Sequence, residues 1–260
     1  MAVVVPDILA RIVDHKRAEL RSISERRSEL ERRAADRRDV RDFRAALTSS
    51  ELAIIAEIKR ASPSKGVLVT NFDPAAIASL YGEGGAAALS VLTDREFFKG
   101  SPEDLRAARA AVDVPVLRKD FTIDEVHVIE AAAHGADAIL LIAAVLPEIS
   151  MRRFRELAAH YGMAALVEVH DQADLDLALA AGAQIIGVNN RNLHTFEVTL
   201  ETSLRLADKI PAGIVKVSES GIHSSADVHR LQDAGYSAFL VGEHLMKSPD
   251  PAAALRELRS

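Results

Sequence analysis

The chain of 260 residues contains no cysteine and no tryptophan. The absence of cysteine excludes disulfide bonds and thiolate metal sites. No apolar run reaches the roughly 18 residues that a membrane-spanning helix requires, and no basic residue of the kind that opens a secretory signal precedes Asp7. We therefore expect a cytoplasmic protein that has neither covalent cross-links nor a membrane span.

A large excess of charge of one sign is also missing. The chain has 32 Lys and Arg residues against 38 Asp and Glu residues, which gives a formal net charge of -6. This balance gives no reason to expect nucleic acid or an anionic membrane as a partner. Hydrophobic residues make up 48% and charged residues 27%, a composition typical of globular proteins. Nothing in the sequence indicates a partner protein.

Charge is nevertheless concentrated near the N-terminus. Residues 11–44 contain twelve Arg or Lys and eight Asp or Glu residues. A basic arm for nucleic acid and a helix with a solvated charged face are both consistent with this density. Apolar residues recur near helical spacing and favour the helix, because they supply one stripe that can pack. We therefore predict a helical extension over residues 1–50; the stripe consists of Ile8, Ile12, Leu20, Ile23 and Leu30.

From residue 51 onward, short apolar runs alternate with amphipathic segments of about ten to fifteen residues. The apolar runs predict eight strands, at 53–59, 87–92, 114–119, 138–143, 164–169, 185–189, 214–218 and 238–241. The segments between and after them predict eight helices, at 73–83, 102–112, 123–134, 147–161, 172–181, 200–209, 225–234 and 251–258.

Continuous apolar strands indicate burial on both faces, as in a parallel sheet covered by helices. An open doubly wound sheet would show the same alternation, but its glycine-rich dinucleotide turn is missing. Eight units of this length favour an α/β fold of the (β/α)8 TIM-barrel type. We predict one domain over residues 1–260, with the helical extension at 1–50 and the barrel at 51–260.

Polar residues gather where the predicted strands end, which is where barrel enzymes place their chemistry. Glu57 and Lys59 are two residues apart on one strand, so their side chains share a face. A single pair of this kind could be a structural ion pair. Further polar residues at four other strand ends favour an active site instead; these are Lys119, Glu168, Asn189 and Glu219.

Small residues after the seventh and eighth strands predict a phosphate site. Ser220-Gly221 and Gly242-Glu243 lie where backbone N–H groups and the starts of the following helices can approach an anion. Each glycine alone would indicate only a tight turn. The pair predicts a small phosphorylated molecule as the ligand, whether a phosphosugar, a nucleotide or a phosphorylated cofactor.

These residues lie in motifs that resemble the indole-3-glycerol-phosphate synthase family. The resemblance covers nearly the whole chain, in order and with the expected spacing. It is carried by EIKRASPSKG at 57–66, VLTDREFFKG at 91–100, VLRKDF at 116–121, LVEVH at 166–170, GVNNRNL at 187–193, SESGI at 218–222 and ILARIVDHK at 8–16.

The resemblance implies decarboxylating ring closure and dehydration of 1-(2-carboxyphenylamino)-1-deoxyribulose 5-phosphate, a step of tryptophan biosynthesis, without metal or cofactor. It implies that Lys119 is the general acid, which nearby cations could tune towards neutral pH. Glu168 would stabilise the developing cation or act as a base. Lys59 would hold the carboxylate that is lost and serve the dehydration, with Glu57 as the base of that step.

The remaining implied roles concern binding and orientation. Asn189 and Glu219 would orient reacting groups, and Arg191 would support the site. His170 would have a supporting role. The residues that would border the carboxylate and phosphate pockets or the aromatic ring are Ser62, Ser64, Phe98, Ser220, Gly221, Gly242 and Glu243, with Phe97 beside Phe98.

Two alternatives remain open from the sequence. One is another phosphosugar barrel enzyme, such as an isomerase, which would share the phosphate site but would not be expected to carry all of Glu57, Lys59, Lys119 and Glu168. The other is a phosphate-binding scaffold that has kept the fold and lost activity. Loss of an acid or base would mark it, and none of the matched positions is substituted.

Overall fold

The computed structural model describes residues 7–63, 65–193 and 195–260. The strands in chain order are β1 (Ala53–Ile58), β2 (Ala61–Ser62), β3 (Gly66–Val67), β4 (Ala88–Leu92), β5 (Val116–Lys119), β6 (Ala138–Ile142), β7 (Ala164–Val169), β8 (Ile185–Asn189), β9 (Val215–Glu219) and β10 (Ala238–Val241). Eight of them are parallel and pair in a closed ring in the order β1-β10-β9-β8-β7-β6-β5-β4. The predicted barrel is therefore confirmed.

Helices cover the outside of this ring. They are α1 (Asp7–Ser24), α2 (Arg27–Asp36), α3 (Phe43–Thr48), α4 (Pro74–Glu83), α5 (Pro102–Ala110), α6 (Glu125–Ala133), α7 (Glu148–His160), α8 (Gln172–Ala180), α9 (Glu201–Ala207), α10 (Ser225–Asp233), α11 (Glu243–Lys247) and α12 (Pro251–Leu258). Several begin at an Asp or Ser whose side chain accepts a backbone N–H of the first turn, as at Asp73, Ser101 and Ser224.

Burial explains why the strands are apolar throughout. Side chains on the outer face pack under the helices, and those on the inner face fill the barrel. The inner layers contain Ile55, Leu117, Leu140, Leu166, Val217 and Leu240. The charged side chains that line the cavity lie near the C-terminal ends of the strands, at the mouth of the barrel, as Glu57, Lys119 and Glu219 do.

The N-terminal extension consists of three helices that take different positions on the barrel. Leu9 and Ile12 of α1 belong to the same apolar cluster as the barrel interior, and so does Phe43 of α3. Arg44 donates to the carbonyl oxygen of Gly213, just before β9, at 3.1 Å. The helix α3 therefore lies at the base, where the strands begin, whereas α1 packs at the mouth. The helix α2 packs along α6 between them.

Asp137, immediately before β6, fastens the extension to the base of the barrel. Its carboxylate accepts the Arg37 guanidinium, the Arg41 backbone N–H at 3.0 Å and the Arg109 guanidinium at 3.2 Å. It also accepts the backbone N–H of Val116 at 3.0 Å. Many of the charges at residues 11–44 instead pair on the surface, as the predicted solvated face requires.

The structure adds elements that the sequence pattern did not predict. The hairpin β2–β3 follows β1 outside the ring, and the short helix α11 follows Gly242. The predicted strand boundaries lie within about two residues of those observed, as expected for such patterns. Across the residues that the structure describes, none of the helices is long and apolar enough to cross a membrane.

Candidate active site

A cavity of about 540 Å³ opens at the C-terminal ends of the barrel strands. The predicted site residues that line it are Glu57, Lys59, Ser62, Phe98, Lys119, Glu168, Asn189, Arg191, Glu219, Ser220, Gly221, Gly242 and Glu243. Ser64 lies outside the described residues. Residues from seven of the eight barrel strands, or from the loops after them, thus meet in one place, although their positions span most of the sequence.

Lys119 lies at the end of β5 and is the centre of the charged part of the cavity. Its Nζ donates to Oε2 of Glu219 at 2.5 Å and to Oε2 of Glu168 at 3.1 Å. The Glu168 carboxylate comes from β7, two strands along the ring, and the Glu219 carboxylate comes from β9, on the opposite side of the ring. The ammonium group therefore reaches across the mouth, where it can deliver a proton to a bound molecule.

The charge around Lys119 differs from the expectation that nearby cations would tune it towards neutral pH. Burial acts to lower the pKa of Lys119, but the carboxylates of Glu219, Glu168 and Glu57 outweigh that effect and hold the pKa above its ordinary value. The expectation was wrong because the neighbours are anions. Lys119 is consequently protonated at neutral pH, which is the form that a general acid needs.

Glu168 is held in its ionised form by two cations. Burial acts to raise the pKa of Glu168, but Lys119, His170 and a hydrogen bond from Asn189 together bring it well below its usual value. Nε2 of His170 lies 3.4 Å from Oε1 of Glu168, and Nδ1 lies 3.2 Å from Asp174. Against the effect of burial, these carboxylates raise the pKa of His170 to about 9. His170 is thus a cation that supports Glu168, in line with its predicted supporting role.

The pKa of Glu219 is raised, whereas that of Glu168 is lowered. Burial is the main cause that raises the pKa of Glu219, and repulsion by Glu168 and Glu57 adds to this effect against the attraction of Lys119, so that the pKa of Glu219 rises to about 7. Its Oε1 is buried and has no hydrogen-bond partner among the described residues. Gly187 on β8 makes room for this group, because a Cβ there would collide with the carboxylate. Glu219 can therefore exchange a proton near neutral pH.

Glu57 and Lys59 form a second acid–base pair in the same cavity. Nζ of Lys59 lies 2.5 Å from Oε1 of Glu57, as the shared face predicted. Gly242, after β10, lies against this pair, and a Cβ at Gly242 would collide with the Glu57 carboxylate. A residue without a side chain is therefore required at position 242, because the backbone there lies close to the Glu57 carboxylate. This requirement is separate from the predicted role of Gly242 in binding phosphate.

The loops after β9 and β10 form a polar side of the cavity. Ser220 has a positive φ of 69°, and Asn190 donates to its carbonyl oxygen at 3.0 Å. Gly221 follows with φ of 79°. These two consecutive residues, both in the left-handed region, turn the backbone at the mouth. Their small side chains leave the backbone amide groups accessible to an anion.

Glu243 is on the polar side but is itself an anion. A hydrogen bond from Lys247 keeps the pKa of Glu243 below its usual value. Oε1 lies 3.8 Å from Lys65, and Oε2 lies 4.0 Å from Arg191. The Glu243 carboxylate would repel a phosphate, so only its backbone could contribute to binding one. Lys65 is a cation of the cavity that residue-by-residue prediction missed, although it lies within the motif at 57–66.

The opposite side of the cavity is apolar. Phe98 and Phe121 line it with ring centroids 6.2 Å apart, while Phe97 packs on His15 at 5.8 Å. The helix α1 adds side chains that the prediction assigned only to packing of the extension. The apolar residues lining this side that were missed as site residues are Ile8, Leu9, Ile12, Leu92, Phe121, Leu140 and Ile142. Most of them lie within the motifs at 8–16, 91–100 and 116–121, whereas the strand pattern was the only sequence signal of Leu140 and Ile142.

The cavity therefore has a charged centre with two Lys–Glu acid–base pairs, a polar loop side and an apolar side. This arrangement suits a molecule that has an aromatic group at one end and a phosphate at the other. The residues that the structure describes contain no group of three or more His, Asp or Glu side chains that could hold a metal ion.

Comparison with known families gives one match over residues 9–258, to the family described as indole-3-glycerol phosphate synthase. Individual relatives agree. Proteins with that name from Aromatoleum aromaticum and Bordetella pertussis are each 51% identical over 258 residues, covering 97% of this chain and 98% of theirs. One from Koribacter versatilis is 50% identical over 255 residues, covering 96% and 98%.

Solved structures support the fold alone. A 3-hexulose-6-phosphate synthase aligns with a TM-score of 0.62 at 18% identity, over 80% of this chain and 98% of that one. A thiamine phosphate pyrophosphorylase from Pyrococcus furiosus aligns with a TM-score of 0.61 at 19% identity, over 80% and 94%. At this level of identity the likeness extends to the architecture and carries no argument about chemistry.

Proposed function

The chain belongs to the indole-3-glycerol phosphate synthase family, and from this membership we propose that it converts 1-(2-carboxyphenylamino)-1-deoxyribulose 5-phosphate to indole-3-glycerol phosphate, carbon dioxide and water. In class terms it is a carbon–carbon carboxy-lyase of tryptophan biosynthesis. The observation that carries the proposal is the Lys119 ammonium held between Glu168 and Glu219, in the same cavity as the Lys59–Glu57 pair.

Ring closure needs a proton on the ketone oxygen as the ring carbon attacks the carbonyl carbon. Lys119 supplies it, because its carboxylate neighbours keep the ammonium charged while leaving it at the cavity surface. Attack places positive charge on the aromatic ring and its nitrogen. Glu168, ionised and fixed by His170, stabilises that charge from the same side.

Decarboxylation then restores aromaticity, so the electrons of the breaking C–C bond return to the ring. Lys59 holds the carboxylate before it leaves. In the dehydration that follows, the hydroxyl departs as water with a proton from Lys59, and Glu57 accepts the proton lost from the ring. Glu219 has a pKa near neutral and touches Lys119, so it can return a proton to that amine between turnovers. Asn189 orients Glu168.

The two sides of the cavity orient the substrate between these groups. Backbone amides around Ser220, Gly221 and Gly242 receive the phosphate, with Arg191 and Lys65 as the nearby cations. Ser62, on the hairpin after β1, borders the carboxylate pocket. The apolar side formed by α1, Phe98 and Phe121 takes the aromatic ring. With the phosphate on one side and the aromatic ring on the other, the substrate has one orientation in this proposal, and its reacting carbons lie beside Lys119.

We extend the proposal to three coarser points. The small phosphorylated substrate is the expected partner, with neither nucleic acid nor membrane involved, and the protein works in the cytoplasm. Residues 1–260 act as one domain, since the extension contributes Ile8, Leu9 and Ile12 to the cavity of the barrel. The reaction proceeds without a metal or an organic cofactor, because restored aromaticity drives the loss of carbon dioxide.

The test is direct because the chain has no tryptophan and only three tyrosines. Purified protein is mixed with the substrate in buffer containing a chelator, and indole fluorescence is followed. A rising signal in the presence of chelator is the expected result. Folded protein that gives no signal would overturn the proposed activity and favour the isomerase or the inactive scaffold, which are then separated by assaying phosphosugar isomerisation.

A further inference from the structure

Lys16, in the third turn of α1, is a buried cation outside the set of residues that the reaction uses. Only 4% of its surface is exposed. Its Nζ lies 2.9 Å from Oδ1 of Asp120, 3.0 Å from Oδ2 of Asp94 and 3.1 Å from Oε2 of Glu19. A buried ammonium costs free energy unless it is paired, so this geometry requires all the elements that supply the carboxylates to stay in place.

Asp94 organises the loop after β4. Its Oδ1 accepts the backbone N–H groups of Phe97 at 2.6 Å and Phe98 at 3.2 Å, while the other oxygen faces Lys16. Asp94 itself is fully buried. The Phe98 ring, which lines the cavity, is therefore held by a carboxylate whose charge Lys16 neutralises.

Asp120 has the same function in the loop after β5. Its Oδ1 accepts the backbone N–H of Phe121 at 2.8 Å and also faces Lys16. Its Oδ2 accepts Thr93 at 2.5 Å and Arg118 at 3.1 Å. The loops that carry the two aromatic rings of the apolar side are consequently joined through Lys16.

The same residue fixes the position of α1. Ile8, Ile12 and Lys16 recur every four residues and so share one face of the helix. The two isoleucines line the cavity, and Lys16 reaches the loops one turn farther along. If Lys16 moved away from the carboxylates of Asp94 and Asp120, α1 would shift and Ile8 and Ile12 would leave the cavity.

We propose that Lys16 is a positioning residue that assembles the apolar side of the cavity from α1, the loop after β4 and the loop after β5. The inference rests on the proposed function, in which this side takes the aromatic ring. Lys16 does not touch substrate. Lys119 is adjacent to Asp120 in sequence but is held separately by Glu168 and Glu219, so loss of Lys16 weakens aromatic binding more than proton transfer.

The test is Lys16→Met, which keeps the length of the side chain and removes its charge. We expect KM for the substrate to rise on the order of 10-fold, with kcat changed by no more than about threefold. Two competitive inhibitors separate the ends of the cavity. The inhibition constant of anthranilate should rise with KM, whereas that of inorganic phosphate should stay at its wild-type value, because the loops after β9 and β10 do not contact Lys16.

Arg17→Met is the matched control. Arg17 is the next residue of α1, and its ion pair with Asp14 at 2.8 Å is exposed. KM, kcat and the inhibition constants of anthranilate and inorganic phosphate should all remain those of the wild type in this variant. If Lys16→Met fails to fold, Asp94→Asn decides the question, because the amide oxygen can still accept from the loop while the charge facing Lys16 is lost. In Asp94→Asn we expect a smaller rise in KM and in the inhibition constant of anthranilate, with the inhibition constant of phosphate unchanged.

The outcomes distinguish this inference from the proposed function. No ring closure by the wild-type protein would overturn the function. Ring closure by the wild type, with KM and anthranilate binding unchanged in Lys16→Met or its substitute, would overturn the positioning role alone. A parallel loss of phosphate binding would also overturn it, because that result would indicate general damage to the barrel.

Discussion

Buried charges lie at both ends of the barrel, and the two clusters differ in how completely they are neutralised. The base cluster consists of Asp137, Arg37 and Arg109; here one carboxylate meets two guanidinium groups and two backbone N–H groups. The mouth cluster consists of Lys119, Glu57, Glu168 and Glu219; here the Lys119 ammonium faces three carboxylates, of which Glu57 also pairs with Lys59 and Glu168 with His170. Glu219 also has a buried oxygen with no hydrogen-bond partner in the described part of the chain.

The difference indicates what each cluster is for. A carboxylate with every acceptor site filled holds its surroundings in one arrangement, and its protonation state has no alternative of similar free energy. A cluster in which one buried carboxylate is incompletely paired, as Glu219 is, binds a proton near neutral pH. The base cluster therefore serves stability, whereas the mouth cluster gives up stability for proton transfer, and substitutions can test this division.

The largest expected effect is on turnover at the mouth. Lys119→Met removes the acid, and Glu168→Gln removes the charge opposite the developing cation. Each should lower kcat by about 10²–10⁴-fold. The midpoint of thermal unfolding should change little by comparison with substitutions at the base. Stopped assays of indole fluorescence measure the rate, and near wild-type turnover in either variant would remove that residue from the mechanism.

At the base the expected loss is in stability. Asp137→Ala removes the buried carboxylate of Arg37 and Arg109, which keep their contacts with the exposed Asp39, and it leaves the backbone N–H groups of Arg41 and Val116 without this acceptor. The free energy of unfolding should fall by about 3 kcal/mol. The kcat of the folded fraction should stay that of the wild type. Urea unfolding and the fluorescence assay measure the two quantities.

Asp176→Ala is the control for the base, because Asp176 is exposed and accepts a hydrogen bond from Gln172 on its own helix. It should change the free energy of unfolding by no more than about 0.5 kcal/mol. Equal losses in Asp137→Ala and Asp176→Ala would contradict the assignment of a stabilising role to the base cluster.

The smallest expected effect concerns the pH dependence of stability. The pKa of Glu219 is about 7 in the folded protein against 4.5 for the ordinary group. As pH rises from 4.5 towards 7, the unfolded chain loses this proton first, so the stabilisation present at low pH is lost. Glutamine does not titrate, so the Glu219→Gln variant does not lose this stabilisation as the pH rises. Its stability relative to the wild type should rise by roughly 2 kcal/mol between about pH 5 and 8.

Urea unfolding of both proteins across that pH range measures the difference. A difference that does not vary with pH would show that Glu219 titrates outside this range, and the contrast between the two clusters would then rest on Lys119 and Glu168 alone.

Much of the site could be predicted from residue type and position. Glu57, Lys59, Lys119 and Glu219 are polar residues at the ends of apolar strands, and a closed parallel barrel has a mouth only there. Their meeting in one cavity therefore followed from the fold class. Lys65 and Phe121 were missed as individual site residues, although both lie within motifs that the sequence made visible.

Protonation was not predictable in the same way. The expected tuning of Lys119 by cations was wrong because its neighbours come from β1, β7 and β9, far away in the sequence. The same holds for the pKa of Glu219, since burial and the approach of Glu168 and Glu57 both depend on closure of the ring. Electrostatic neighbours are set by tertiary distance, which a linear pattern does not contain.

The sequence by itself determined the eight strand–helix units, the helical extension and the end of the barrel that holds the chemistry. These depend on short-range periodicity and on burial of apolar side chains, which are local properties of the chain. Only the tertiary structure decided that α1 lies at the mouth, that Lys16 joins two loops and that Lys119 faces carboxylates. Those features depend on contacts between residues up to about a hundred positions apart, and such contacts form when the barrel closes.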